Sequence, residues 1–194
     1  MEQRIIGLTG GIATGKTIVA NYLHSAYHLP ILDADIYARA AITSQFLKVL
    51  EERYGLSIFD SDRTLNRRKL AEIIFNNPTE RKWLESQIHP YVRDRLQLEA
   101  KSHSPKSVVM VIPLLFEAGM QELVTETWVV SCDPELEIER LRQRDHLDLQ
   151  SAQIRIASQM SMVQKVAIAD FVLDNSTTIN ELCRQVDKLM GSNC

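Results

Sequence analysis

The sequence predicts an α/β fold with a mainly parallel sheet. Three observations carry that reading. Short β-rich apolar runs alternate with segments of helical periodicity. A glycine cluster joins the first run to the first helix. Two helical stretches interrupt the alternation without linker composition, so they are excursions from one sheet rather than separate domains.

Residues 4–8 (Arg-Ile-Ile-Gly-Leu) form a short apolar run before the glycines and read as a buried strand. Residues 17–27 place Ile18, Val19, Tyr22, Leu23 and Ala26 at helical spacing. Residues 30–32 give a second short strand, followed at once by Asp33-Ala34-Asp35. Residues 36–102 are helical in pattern, with breaks expected at Gly55, at Asn76-Asn77-Pro78 and at Pro90. Residues 107–112 are β-rich and fit a central parallel strand, and residues 127–132 make another. Pro134 suits the first turn of a helix that runs to about Asp145. Residues 147–169 read as polar helix, 171–173 as a last strand and 178–190 as a closing amphipathic helix.

Bulk composition narrows the class. In 194 residues, 45% are hydrophobic and 24% charged, ordinary for a globular domain and unlike a disordered chain. A net charge of −3 argues against a general nucleic-acid binder. No apolar run approaches the ~20 residues that span a bilayer; the longest, residues 108–116, contains Pro113. The chain starts Met-Glu-Gln-Arg and enters a strand pattern, so no secretory signal is expected. Cys132, Cys183 and Cys194 lack metal-ligand spacing. The expectation is a cytoplasmic protein with reduced thiols, Cys132 and Cys183 being small core residues.

Glycine is scarce, 7 residues in 194, yet Gly7, Gly10, Gly11 and Gly15 fall within the first fifteen. Residues 10–17, Gly10-Gly11-Ile12-Ala13-Thr14-Gly15-Lys16-Thr17, match G-x-x-x-x-G-K-[ST] between a predicted strand and a predicted helix. Glycines let the backbone wrap a phosphate with its N–H groups inward, and the helix start adds partial positive charge. Lys16 is placed to reach the β- and γ-phosphates of ATP, and the Thr17 hydroxyl to ligate Mg²⁺.

An Asn-Lys-x-Asp base-recognition motif, as a GTPase would carry, is absent from the sequence. The β-rich run at 107–112 ends in Pro113 instead of a metal-binding Asp. The carboxylates stand after the second strand, at Asp33 and Asp35. Ligands of a doubly wound sheet bind at the carboxyl ends of its strands, so Asp33 should face the phosphate loop. There it would accept the proton of an attacking hydroxyl or hold Mg²⁺ through water. Asp35 is expected either to cap the next helix or to contact Mg²⁺. Arg140, Arg142 and Arg144, with Arg155 and Lys165, suit a lid that covers the nucleotide and neutralises the migrating group. The competing reading is a solvated helix face on which Glu137 and Glu139 pair with the arginines.

Taken in order, several motifs resemble the dephospho-CoA kinase family over nearly the whole chain. They are Leu8-Thr-Gly-Gly-Ile12 with the phosphate loop, Asp33-Ala-Asp35 with Arg39, His89-Pro90, and Pro113-Leu-Leu-Phe-Glu117. Arg140-Leu-Arg-Gln-Arg-Asp145, Arg155-Ile-Ala-Ser-Gln-Met160 and Asp174-Asn175 complete the set. The resemblance implies a three-layer P-loop fold with a five-stranded parallel sheet. It implies one domain over residues 1–194, with a helical CoA-binding insertion at about 36–102 and a lid at about 140–165. It implies MgATP-dependent phosphorylation of the ribose 3′-hydroxyl of dephospho-CoA, the last step of CoA biosynthesis. Asp33 would be the base; Arg39, His89, Leu115 and Glu117 would lie in or near the acceptor site. Arg140 and Arg144 would serve the lid over ATP, and Asn175 would lie near the adenine. ATP and dephospho-CoA are then the expected partners, with neither nucleic acid nor membrane.

The loop departs from the family pattern at Ala13 and Thr14, where Gly and Ser are more usual, and Val166 and Ile168 stand where basic residues often follow Lys165. A nucleoside or nucleotide kinase of the same fold is the competing enzyme reading. A P-loop ATPase switch acting on a protein partner is the competing reading from another class.

Single residues carry alternatives. His24 and His28 are four apart but lack a third ligand nearby, which favours surface helix histidines. His89 either anchors a turn or touches substrate. Glu117 either reaches the acceptor or begins a helix. Trp128 reads as a core anchor, Trp83 as core or the wall of a ligand groove. Residues 63–106 hold 10 basic and 5 acidic side chains, net +5 against −8 elsewhere, which would attract an anionic acceptor.

Overall fold

Strand pairing settles the architecture. A computed structural model describes residues 3–103 and 107–191; Cys194, and Lys106 of the basic stretch, lie outside them. Five strands form one parallel sheet, β1 (Ile5–Gly10), β2 (Ile31–Asp33), β3 (Val108–Val111), β4 (Glu126–Ser131) and β5 (Phe171–Asp174), in the order β2-β3-β1-β4-β5. All therefore end on the same edge. The predicted strands are present with shifted ends. β1 runs on through Thr9 and Gly10, since pairing of Gly10 with Val130 holds even a glycine in the ladder.

The nine α-helices among the described residues are α1 (Lys16–Tyr27), α2 (Ala34–Ala40), α3 (Ser44–Tyr54), α4 (Arg67–Asn76) and α5 (Pro78–Ser102), then α6 (Pro134–Asp145), α7 (Leu149–Ala157), α8 (Met162–Ala167) and α9 (Ile179–Met190). The chain divides into two units. One takes the chain up to Ala34 and again from Leu96; the other is Asp35–Arg95.

In the first unit, the period of two along each strand builds two cores. Ile6, Leu8, Val109, Val111, Trp128, Val130 and Leu173 face α1 and α9, which bury Val19, Leu23, Leu182 and Val186 against them. Tyr22 and Tyr27 of α1 both donate to Asp187 Oδ1 of α9 at 2.7 Å, locking the helix that carries the phosphate-loop lysine. The opposite face of β1 meets Leu115 and Val124 at Gly7, where a side chain would collide. Trp128 is a core anchor as expected, fully buried and edge-on to Phe171.

The helical unit has its own core of Leu50, Ile58, Phe59, Leu70 and Leu84. Thr43 and Asn66 cap α3 and α4, and Gly55 ends α3 with a positive φ of 67°. Trp83 packs edge-on to Tyr54 beneath the Arg53 guanidinium, 4.1 Å from its ring centre, so it belongs to this core. The break expected at Pro90 does not occur: α5 runs through it. Pro90 is exposed, so the carbonyl that loses its partner, on Ser86, can turn to water.

The predicted helix over 147–169 is two helices. Asp148 caps α7, and Ser161 with Gln164 forms a capping box that restarts the chain as α8. His24 Nδ1 lies 3.1 Å from the Leu29 carbonyl and His28 closes α1 in a left-handed conformation, so the pair ends a helix. Among the described residues no group of three acidic, His or Cys side chains could hold a metal. Cys132 and Cys183 are free thiols, Cys132 buried and Cys183 half-buried. No described helix is long and apolar enough to cross a membrane.

Candidate active site

The site grows from the end of β1. Gly10 holds a φ of +146°, with its α-carbon against the Val130 carbonyl, and Gly15 holds +108° against the Asn175 amide. A side chain at either would be strained and would collide. Ala13 also lies in the left-handed region, at φ 61°. An alanine there carries strain that a glycine would not. No side chain caps α1, and its first turn holds no acidic residue. Its leading N–H groups are thus available to an anion, with the helix dipole adding to the attraction.

Inside the loop, the buried Thr14 hydroxyl donates to the Gly11 carbonyl at 3.0 Å. Lys16 Nζ folds back onto the Gly11 carbonyl at 2.6 Å and the Gly10 carbonyl at 3.2 Å. The lysine is thus held at the loop it would serve. Thr17 is exposed on the first turn of α1. Ile12 is half-buried.

Asp33 ends β2, paired in register with Val111 of β3. β3 is the only strand between β2 and β1. At ~4.8 Å per strand, the backbone of Asp33 stands about 10 Å across the sheet edge from that of β1. Because α2 starts at Ala34, Asp33 itself occupies the position before the helix and Asp35 lies in its first turn. The cap expected of Asp35 is therefore misplaced by two residues.

Asn175 is 3% exposed. Its Nδ2 donates to the Thr14 carbonyl at 2.8 Å and its backbone N–H to Ser131 at 2.8 Å. The side chain thus braces the phosphate loop. Arg140 Nη1 donates to the Asn175 carbonyl at 3.0 Å, which puts this arginine on the same brace. Arg144 is elsewhere: it makes two bonds to Asp145, at 2.8 and 3.1 Å, and Arg155 Nη1 adds a third at 2.7 Å. The two arginines hold the Asp145 carboxyl below the usual range. Arg140 and Arg144 thus do not act on one partner. The pairing with Glu137 and Glu139 in the competing reading is not made either, since Glu139 accepts from Gln143 and Glu137 turns inward.

Leu115 turns into the core, whereas Glu117 is exposed and ion-paired. Leu115 is fully buried against Gly7 and is a core side chain. Glu117 Oε1 accepts from Lys165 Nζ at 2.9 Å and from the Met160 N–H at 3.0 Å. Lys165 is fully buried, so it is no exposed lid cation; Val166 and Ile168 beside it are exposed. Arg39 is exposed in the last turn of α2, and His89 is half-buried in α5. Burial depresses the His89 ring, Glu85 opposes that, and Arg93 adds to it. Both residues belong to the helical unit.

Sequence reasoning missed Glu137 as a site residue. It is 6% exposed on an otherwise polar helix, with Oε1 against the α-carbon of Gly11. Burial pushes its carboxyl up, while Lys16 and Lys165 draw it down. In the sequence it is one of three alternate glutamates, Glu135, Glu137 and Glu139, with nothing local to single it out.

A family model described as dephospho-CoA kinase matches residues 4–181. A dephospho-CoA kinase of Trichormus variabilis is 60% identical over 190 residues, covering 96% of each chain. One from Synechocystis sp. is 50% identical over 190 residues, covering 96% of this chain and 94% of its own. Among solved structures, TT1252 from Thermus thermophilus superposes with a TM-score of 0.85 at 30% identity, covering 100% of both chains. Dephospho-CoA kinase from Campylobacter jejuni gives 0.70 at 26% identity, covering 96% and 95%.

Proposed function

The chain belongs to the dephospho-CoA kinase family, and from that premise we propose how its own residues move a phosphoryl group from ATP to the ribose 3′-hydroxyl of dephospho-CoA. The observation that carries the reading is one sheet edge. The phosphate loop with Lys16 ends the central strand, and the Asp33 carboxylate ends a strand of the same sheet on the same side.

The open N–H groups of α1 and the loop bind the β- and γ-phosphates. Lys16 leaves the Gly10 and Gly11 carbonyls and places its ammonium on the bridging charge between them. The 3′-oxygen of the acceptor forms a bond to Pγ as the bond from Pγ to the β–γ bridging oxygen breaks. ADP leaves with that electron pair. The hydroxyl proton passes to Asp33, which lies across the edge from the phosphates and supplies general-base assistance. The Thr17 hydroxyl and the Asp33 carboxylate are hard oxygen donors. That suits Mg²⁺, which keeps several waters and takes few protein ligands. When bound, the ion would neutralise charge on the β- and γ-oxygens.

Arg140, reaching the loop through Asn175, and Arg144, on the segment that carries Arg155, would add positive charge around the nucleotide. Acceptor recognition falls to Arg39 and His89 of the helical unit and to its net basic stretch, which suits a diphosphate-bearing substrate. A reaction fed by ATP suits the cytoplasm. The test is an ATP-coupled assay over dephospho-CoA, nucleosides and nucleotides with product masses measured. Dephospho-CoA should gain one phosphate. Turnover on a nucleotide with no gain on dephospho-CoA refutes the reading in favour of a nucleotide kinase.

A further inference from the structure

Lys165 is 0% exposed, and Glu137 and Lys165 are the buried charged side chains among the described residues. An apolar residue would fill the place of Lys165 as stably, because taking an ammonium out of water costs about what its ion pair returns. What the ammonium adds is a set of directed bonds. Lys165 Nζ meets Glu117 Oε1 at 2.9 Å and donates to the Pro113 carbonyl at 3.4 Å. Each partner makes a second bond. Glu117 Oε1 also accepts the Met160 N–H at 3.0 Å, where the chain has left α7 and turns into α8. The Pro113 carbonyl also accepts the Thr9 hydroxyl at 3.1 Å, one residue before Gly10 opens the phosphate loop.

Two links thus tie α8 to that loop. One runs through bonds, from Lys165 by way of Pro113 to Thr9. The other is a direct contact. Met162, three residues before Lys165, lies on the same side of the helix. Its Cε comes to 3.0 Å from where a Cβ on Gly11 would stand. α8 is only six residues long and its start is closed by the capping box of Ser161 and Gln164. It is a short rod, and Lys165 is the side chain that pins it.

We propose that Lys165 and Glu117 are positioning residues. Their pair latches α8 to the turn after β3, seats Met162 against Gly11 and so presets the phosphate loop for ATP. The inference rests on the reading of that loop as the ATP site and deepens it by assigning the loop its support. It gives Glu117 a role on the nucleotide side, in place of the acceptor contact that the family resemblance implies.

The test is steady-state kinetics in each substrate for Lys165→Met, Glu117→Gln, the double variant Lys165→Met/Glu117→Met and Lys16→Met, with thermal unfolding and amide exchange of each. Lys165→Met opens the latch. Its kcat/KM for ATP should fall by roughly 10- to 100-fold, the upper figure being what an ångström of misplacement costs. Its KM for dephospho-CoA should stay parental. Amide exchange should quicken across residues 10–17 and 158–165. Glu117→Gln, which keeps an acceptor for Met160 and drops the charge beside Lys165, should move the same way by less. Exchanging both members of a buried pair for apolar side chains is well tolerated. The double variant should therefore melt near the parental temperature and yet keep the ATP defect, because Met160 and Pro113 still lack Glu117 and Lys165. A merely structural pair would return the kinetics along with the stability. If Lys165→Met does not fold, the double variant carries the comparison.

Parental ATP kinetics in the folded double variant overturns the latch. So does a rise in dephospho-CoA KM alone in Glu117→Gln, which would return Glu117 to the acceptor site. Lys16→Met keeps the two readings apart. If it retains parental ATP kinetics, the ATP-site reading falls and takes the latch with it. If it loses turnover while the latch variants stay parental, only the latch falls.

Discussion

Asn175→Ala discriminates sharply between two pictures of that residue. The substitution removes the Nδ2 donor to the Thr14 carbonyl but leaves both backbone bonds, from Asn175 to Ser131 and from Arg140 to Asn175. Thr14 is fully buried, so its carbonyl loses its partner in a place where water cannot easily replace it. An orphaned buried acceptor costs about 1–3 kcal/mol. For a chain of this length each kcal/mol lowers the melting temperature by about 2–4 °C, giving a fall of roughly 2–12 °C. The same free energy withheld from the ordered loop would raise the ATP KM by about 5- to 150-fold, at 1.4 kcal/mol per tenfold. Differential scanning calorimetry and ATP-dependent kinetics read the two effects on one preparation. An adenine contact would behave otherwise, with a parental melting temperature and a changed preference between ATP and GTP. That pattern would refute the brace and favour the adenine position implied by the family resemblance.

Other expectations are as direct. Asp33→Asn should lower kcat by roughly 10²- to 10⁴-fold, the range of general-base contributions, with ATP KM little changed in initial-rate assays; a near-parental kcat removes Asp33 as base. Ala13→Gly should raise the melting temperature. A left-handed alanine costs about 1–2 kcal/mol, and the glycine returns about 0.4–1 kcal/mol of that as unfolded-state entropy. A lower melting temperature would show the loop is not strained there. His89 is depressed by burial, so the unfolded chain binds its proton at higher pH than the folded one does. Stability from this group is present above the ordinary value of ~6.5 and is lost as pH falls toward the folded value. Chemical denaturation at pH 5 and pH 7.5 should show a smaller acid loss in His89→Gln; an equal loss refutes the assignment.

Much of this was legible because it is local. Apolar β-rich runs mark strands by composition, and Gly10 to Thr17 mark the loop by residue type and spacing alone. What escaped the sequence depends on partners brought together by folding. Nothing near Asn175 in the chain says that Thr14, 161 residues away, will need its amide. The burial of Glu137 depends on which side of α6 meets the loop, and its alternate glutamates hide that. Leu115 sits in a motif that reads as a site, yet the turn after β3 packs it against Gly7 in the core. Pro90 failed as a breaker because a break depends on whether the freed carbonyl can reach water, a tertiary fact. Arg144 found its neighbour Asp145 in place of Glu139, five residues back.

The position of β1 has a consequence for synthesis. It is the first strand to leave a ribosome and the central one in the sheet, with β3 and β4 as its neighbours. Its register partner in β3, Val108 opposite Ile5, is made about a hundred residues later. Until then an apolar ribbon with two open edges waits unpaired, the state most prone to join another chain. The cost of closing so long a loop grows only slowly with length. The intervening helical unit, with its own core and capped helices, can form within that interval and leave fewer free residues to gather. The nascent chain would therefore finish its insertion before it could seat its first strand.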